Sequence, residues 1–549
     1  MMITRRTFLA LAAASPVFAG RHVATARRYT ELIFPSGKSY SDPFHEVTLD
    51  LDVTAPDART QRVPAFWAGE QIWRVRYTAG SPGTYSYRSV CSDTANADLH
   101  GVTGTIEVGP YEGSNPLHRH GPPRVSANRR YLEHVDGTPF FWLGDTWWMG
   151  LTKRLRWPED FAWLTTDRVR KGFNVIQIVA GLYPDMDSFD PRGENEAGFP
   201  WEKDYARINP AYFDMADLRM VHLVEAGLTP CIVGCWGYYL PVLGMEKMKK
   251  HWRYLIARWG ALPVVWCLAG EGSMPWYMSA DKNKDRDELE RGWTEMARYV
   301  RQTDPYGRLI TIHPSRSSRD VVRDPSVVDI DMLQTGHSDY RSLPNTVRQM
   351  VTSHARTPAM PVVNGEVCYE GIMERCREDI QREMFWASIL SGGCGFTYGA
   401  NGIWQVNLPG QPYGPSPHGN AWGNRPWREA AQMPGGRQIG LCAQFLRRLP
   451  WQRFEPHPEW VEPHWSEKDY DLPFAAGIPG QLRLMFLPSM FGSAKLVALE
   501  SGVSWKGTLF NPSTAETHDL GAIQGDAAGE FMLPKFPEVR DWVVLLQKA

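Results

Sequence analysis

The 549-residue chain is poor in cysteine, in net charge and in long apolar runs, and each shortage removes a class of protein. Its 8 cysteines form no Cys-x-x-Cys pair and no metal-like spacing. That argues against a disulfide scaffold and against a zinc site. Lys and Arg number 59 against 61 Asp and Glu, a net charge of −2. A nucleic-acid binder needs a basic field and a membrane-surface binder a polybasic face, and this balance offers neither. No stretch approaches the roughly 18 uninterrupted apolar residues of a spanning helix. Gly-x-Gly-x-x-Gly and Walker phosphate loops are missing too, as is a His-x-Glu-x-His metal motif. What the chain does have in excess is tryptophan: 23, against 21 Tyr and 22 Phe. Trp fills large cores, and it is also the side chain best suited to stack on sugar rings.

Residues 1–26 read as a twin-arginine-type signal peptide. Thr4-Arg5-Arg6-Thr7-Phe8-Leu9 runs into a short apolar segment ending at Ala14, with small residues for cleavage at Ala19, Ala24 and Ala26. The expected address is therefore periplasmic or secreted, without a membrane anchor.

At about 150 residues per domain the length allows roughly two to four domains. Residues 27–122 alternate with period two, as in Glu46–Val53, Gln71–Tyr77 and Thr84–Val90, and are broken by Gly/Pro turns. This predicts an N-terminal β-sandwich. Over 123–455, eight apolar runs alternate with charged helical stretches. The runs are Phe140–Asp145, Asn174–Ala180, Thr229–Trp236, Pro263–Glu271, Leu309–Ser315, Asp331–Ser338, Pro361–Val367 and Gly393–Gln405. An α/β fold with a (β/α)8 TIM barrel follows, since a doubly wound sheet usually has fewer strands and a Gly-rich loop. Residues 456–549 return to strands, among them Gln481–Leu487, Ala494–Glu500 and Trp542–Leu546, predicting a second sandwich.

Such barrels carry their chemistry at the C-terminal ends of the strands. The fourth run ends in Ala269-Gly270-Glu271, with Val265, Cys267, Ala269 and Glu271 sharing one parity. The seventh ends in Asn364-Gly365-Glu366, placing Asn364 and Glu366 on one face. Two carboxylates facing across a barrel mouth are what glycoside hydrolysis requires: one to protonate the leaving oxygen, one for the opposite face of the sugar. Glu271 and Glu366 are therefore the candidate catalytic pair, with Glu370, four residues on, a rival for the second role or a partner to it. Asp145, Trp147, Trp236, His313, His337, Tyr398 and Trp404 also end strands and are candidates to bind substrate. Asp145 could instead cap the segment after it. No carboxylate cluster joins His313 and His337 into a metal site, and two carboxylates with water need no cofactor.

Four segments, Phe141–Trp148, Lys171–Gln177, Asn364–Gly371 and Tyr398–Gln405, resemble the apiosidase-like (β/α)8 glycoside hydrolases in content and in order. The N-terminal sandwich resembles the β domain that often precedes such barrels. The last segment, with Trp505 and Phe510-Asn511-Pro512-Ser513-Thr514, resembles their C-terminal β domain, sometimes labelled collagen-binding. The resemblance implies a carbohydrate substrate and a retaining reaction, with the acid/base at Glu271 and the nucleophile at Glu366. The family's fourth strand ends Gly-Gly-Asp, whereas Glu271 reaches one methylene further. Three alternatives stay open at this point: an inverting enzyme with Glu366 as base, a carbohydrate-binding protein without turnover, and an adhesin acting through the terminal sandwiches.

Overall fold

The computed structural model describes residues 20–489 and 494–549, so the twin-arginine stretch and Ala19 lie outside the described residues. At its centre are eight parallel strands: β1 (Trp142–Thr146), β2 (Val175–Val179), β3 (Thr229–Val233), β4 (Val265–Cys267), β5 (Ile310–Thr311), β6 (Asp331–Gln334), β7 (Val362–Glu366) and β8 (Gly395–Tyr398). They pair in the order β5-β4-β3-β2-β1-β8-β7-β6. Asp329 N donates to Ile310 O at 2.8 Å and Thr311 Oγ1 to Ile330 O at 3.0 Å, which joins β5 to the start of β6 and closes the barrel. Every residue of β2, β3 and β7 is buried. A strand covered by helices outside and by barrel core inside has no solvent face, hence the unbroken apolar runs.

The expected strands are present but shorter. The run from Pro263 to Glu271 supplies only three ladder residues, Val265–Cys267. Helices Glu159–Arg170, Pro210–Glu225, Met245–Trp259, Lys282–Thr303, Leu343–Ala355, Glu378–Leu390 and Pro434–Leu446 surround the sheet, and two 3-10 turns replace a helix between β5 and β6. Among the described residues no helix is long and apolar enough to cross a membrane.

Ahead of the barrel, a five-stranded sheet faces a three-stranded one. The sandwich starts earlier than residue 27: Arg21–Thr25 pairs in parallel with Thr103–Gly109, inside the segment read as a signal peptide. Cleavage after Ala24 would cut this paired strand and cleavage after Ala26 would remove it, whereas cleavage after Ala19 would leave it whole. The sandwich is clamped to the barrel by a buried cluster. Asp217 Oδ2 accepts from Arg76 Nη2 at 2.6 Å and from Arg258 Nη1 at 3.1 Å, and Asp217 Oδ1 accepts from Trp259 Nε1 at 2.7 Å.

After the barrel, a six-stranded antiparallel sheet shows the period-two pattern on both faces. Leu482, Leu484 and Phe486 join the barrel core, while Met485 and Leu487 pack with Trp542 and Val544 against a three-stranded sheet. Phe445 stacks on Phe510 at 4.0 Å, and Asp541 receives both Nε and Nη2 of Arg382, at 2.6 and 2.8 Å. Of the expected strand 494–500, only Lys495–Leu496 is ladder.

Candidate active site

Glu271 and Glu366 meet at the C-terminal mouth of the barrel, but the alternation read from the sequence does not carry Glu271 there. The β4 ladder stops at Cys267, and a parallel bridge between Trp236 and Gly270 guides the chain onward. A Cβ on Gly270 would lie 2.2 Å from the Trp236 ring, so only glycine lets that indole lie against the strand end. Glu271 then takes a left-handed turn, φ +43°. That conformation costs a non-glycine residue about 1–3 kcal/mol and persists where the surroundings dictate it.

Glu366 is aimed by regular structure, as the last residue of β7. Between Leu333 and Gln334 the register of β6 against β7 shifts, so that Gln334 pairs directly with Glu366. Irregularities of this kind re-aim side chains beside active sites. Here Gln334 Nε2 lies 3.2 Å from Glu271 Oε1 and 3.1 Å from Glu366 Oε1. One donor atom thus reaches both carboxylates, and the two facing oxygens can be no further apart than the sum of these distances.

Four side chains surround the Glu366 carboxylate. His337 Nε2 is 2.9 Å from Oε1, and His313 Nε2 is 3.1 Å from Oε2. Tyr369 OH donates to Oε2 at 2.6 Å and itself accepts from Trp148 Nε1 at 3.0 Å. The Tyr369 ring stacks on His337 and on Trp404, at 4.9 and 6.0 Å. Its place depends on Gly399, where a Cβ would come within 2.0 Å of that ring.

These surroundings push the two carboxyls in opposite directions. Burial alone would raise Glu366, but the charge and contact of His313 and the bond from His337 outweigh it and hold the carboxyl well below its usual range. Burial, and then the neighbouring Glu366 charge, push Glu271 up to about 7. For His313, burial opposes protonation, but Glu366 reverses the balance and raises it. A protonated acid thus faces an ionised carboxylate, the division of labour that two titratable groups need for acid and nucleophile chemistry.

The pair lines a cavity of about 220 Å³ together with Trp148, Pro184, Asp185, Trp236, Met274, Tyr277, Gln334, His337, Tyr369, Ile372, Trp404, His418 and Trp422. Among the described residues, the indole N–H groups of Trp236 and Trp404 find no protein acceptor.

Of the expected substrate-binding residues, Trp236, His337 and Trp404 line this cavity. The other five do not. His313 is fully buried behind Glu366. Asp145 and Trp147 are also 0% exposed, because Asp145 Oδ2 accepts from Arg168 Nε at 2.6 Å and from Trp147 Nε1 at 2.7 Å. Glu370 accepts from Gly435 N at 3.0 Å and from Tyr398 OH, whose ring carries the Arg168 guanidinium at 5.8 Å. These four residues form, with Arg168, a buried brace beside the mouth. Gln334, Tyr369 and Asp185 went unrecognised in the sequence. Gln334 ends β6, four residues before the run read from the sequence stops at Ser338, whereas Asp185 sits in a loop without a sequence signal.

A family model described as "Apiosidase-like, catalytic domain" matches residues 126–453. A second, a domain of unknown function (DUF5060), matches residues 27–92. Among solved structures, the chain is similar to a glycoside hydrolase with 21% identity and a TM-score of 0.63, over 80% of this chain and 99% of that one. A glycoside hydrolase family 5 protein from Bacteroides vulgatus ATCC 8482 aligns with 21% identity and a TM-score of 0.66, over 79% and 95%. A candidate glycoside hydrolase from the same organism has 17% identity and a TM-score of 0.69, over 96% and 100%. Among curated proteins no relative matches. With its barrel matched from end to end and two carboxylates at its mouth, the chain belongs to the apiosidase-like family of glycoside hydrolases.

Proposed function

We propose that this protein is a retaining glycoside hydrolase acting on a plant or bacterial polysaccharide or oligosaccharide, with Glu366 as nucleophile and Glu271 as acid/base. One observation carries the reading: a single atom, Gln334 Nε2, hydrogen-bonds to both carboxylates. Retaining pairs stand about 5–5.5 Å apart, whereas inverting pairs need about 6.5–9.5 Å to admit a water. Two carboxylates close enough to share one donor atom favour the shorter, retaining spacing.

In the first step Glu366 attacks the anomeric carbon while Glu271 gives its proton to the departing glycosidic oxygen, leaving a glycosyl ester on Glu366. Glu271, now ionised, takes a proton from water, which displaces Glu366 and releases the sugar with its configuration kept. Gln334, His337 and Tyr369 hold Glu366 in place, and Trp236, His337 and Trp404 offer stacking faces and N–H groups to the sugar. Export through the twin-arginine stretch agrees with a polysaccharide substrate outside the cytoplasm.

Reducing-sugar release from a panel of plant and bacterial polysaccharides, pectic side chains included, tests the reading. Wild type should release sugar, and Glu271→Gln and Glu366→Gln should not. NMR of the first-formed anomer should show retention, and inversion would reassign Glu366 as a general base. Activity that survives in Glu366→Gln but fails in Glu370→Gln would move the nucleophile.

A further inference from the structure

Asp185 is a third carboxylate in the cavity, unused by the two-carboxylate mechanism. It lies on the loop after β2, 8% exposed, and takes a left-handed backbone conformation, φ +54°. Tyr277, six residues after Glu271 on the loop that follows β4, donates its hydroxyl to Asp185 Oδ1. The Tyr277 ring is in turn stacked on His418 at 4.5 Å. Three separate loops therefore converge to hold one carboxylate at the cavity wall. A buried acid kept in a strained conformation by that many elements is costly to maintain, and such outliers cluster where ligands bind.

The charge around it is one-sided. Glu271, Glu366 and Asp185 all line the cavity, and its lining contains no Lys or Arg. The arginine facing Asp185, Arg192, is already engaged: it donates to both oxygens of Asp190, at 2.9 and 2.7 Å, and to Tyr413 O at 2.8 Å. A ligand here meets carboxylate acceptors for its hydroxyl protons and no Lys or Arg to pair with a carboxylate of its own, and the two lining imidazoles, His337 and His418, are already in contact with Glu366 Oε1 at 2.9 Å and with Ser416 Oγ at 2.8 Å.

Building on the glycosidase reading above, we infer that Asp185 is a specificity-determining residue: it accepts hydrogen bonds from hydroxyls of a neutral sugar and excludes uronic acids from the cavity. Desolvating a sugar carboxylate beside the Glu366 and Asp185 carboxylates is repulsive, whereas sugar hydroxyls can donate to Asp185.

The test uses the full-length protein and matched 4-nitrophenyl glycosides, each neutral glycoside paired with its uronide, glucoside with glucuronide and galactoside with galacturonide, beside the polysaccharide panel. Wild type should prefer the neutral member. Asp185→Asn keeps an oxygen for the Tyr277 hydroxyl but loses the charge. It should lower kcat/KM on the neutral substrate about 10- to 100-fold, as expected for a lost hydrogen bond to a charged group. It should also raise the uronide-to-neutral ratio at least about tenfold. Tyr277→Phe removes the pin and keeps the carboxylate, so the neutral preference should persist.

If Asp185→Asn matches wild type on both substrates, or loses activity on both equally, Asp185 is only a loop brace and the inference falls. A wild type that prefers uronides overturns it while leaving the glycosidase reading intact. A wild type that releases sugar from no glycoside or polysaccharide overturns that reading, and the inference with it.

Discussion

The hydroxyl of Tyr369 donates to Glu366 Oε2 at 2.6 Å, a short bond to an ionised acceptor from a ring that is itself stacked on His337 and on Trp404. A charge-assisted bond of this length fixes the carboxylate's direction as well as its charge. Tyr369→Phe keeps the stacking and removes that bond together with the one the hydroxyl accepts from Trp148 Nε1. At about 1.5–3 kcal/mol for a hydrogen bond to a charged group, kcat should fall roughly 10- to 100-fold. Steady-state kinetics beside a thermal melt would check this, the melt reading the about 1–3 kcal/mol that a buried Trp148 N–H without its acceptor costs.

The pH profile follows from the opposed carboxyls. Glu271, pushed up to about 7, must be protonated to act as acid, so kcat/KM should fall as pH rises through about 7. Glu366 is held below the usual carboxylate range, so the acid limb should lie below the ordinary value for Glu. Removing the Glu366 charge removes the second cause of the Glu271 shift. In Glu366→Gln, infrared or carbon NMR titration should find the Glu271 transition at lower pH than in wild type.

Stability should respond to the same group. Because folding raises the Glu271 value, its contribution is most favourable below the unfolded value near 4.5 and is lost as pH rises through about 7. Glu271→Gln removes the charge that is forced beside Glu366. Its melting temperature should exceed that of wild type by about 2–4 °C at pH 8, with the gap closing near pH 4. Melts at the two pH values decide the point, and an equal shift at both would overturn it.

The buried brace should separate stability from chemistry. Asp145→Ala leaves the fully buried Arg168 with Asp167 as its one remaining carboxylate partner. Breaking a buried ion pair from one side costs about 3–5 kcal/mol, so urea midpoints should drop markedly. Glu370→Gln should also destabilise. The kcat/KM of the folded fraction should stay within a few-fold of wild type in both variants, while Glu366→Gln abolishes turnover.

How much of this was legible beforehand depended on the range of the interaction concerned. The barrel was legible because strands buried on both faces must be apolar throughout, and helices must present one apolar stripe; the local pattern of apolar residues carries that signal. Glu271 and Glu366 were legible because a polar residue closing such a run has nowhere to go but the barrel rim. Asp145, Trp147, Tyr398 and Glu370 met the same description, yet they form a brace with Arg168 rather than line the cavity. Nothing local distinguishes a carboxylate that meets a substrate from one that meets an arginine 23 residues away.

The sequence by itself determined the periodic features of this protein: a β, an α/β and a second β region in order, eight barrel strands, and two glutamates closing apolar runs. Each follows from where the chain must hide apolar surface. Only the tertiary structure decided which polar groups share a cavity. The register shift that sets Gln334 against Glu366, the left-handed turn at Glu271 and the three loops meeting at Asp185 depend on segments far apart in the chain. Their geometry comes from packing of the whole molecule, and no window of neighbouring residues encodes it.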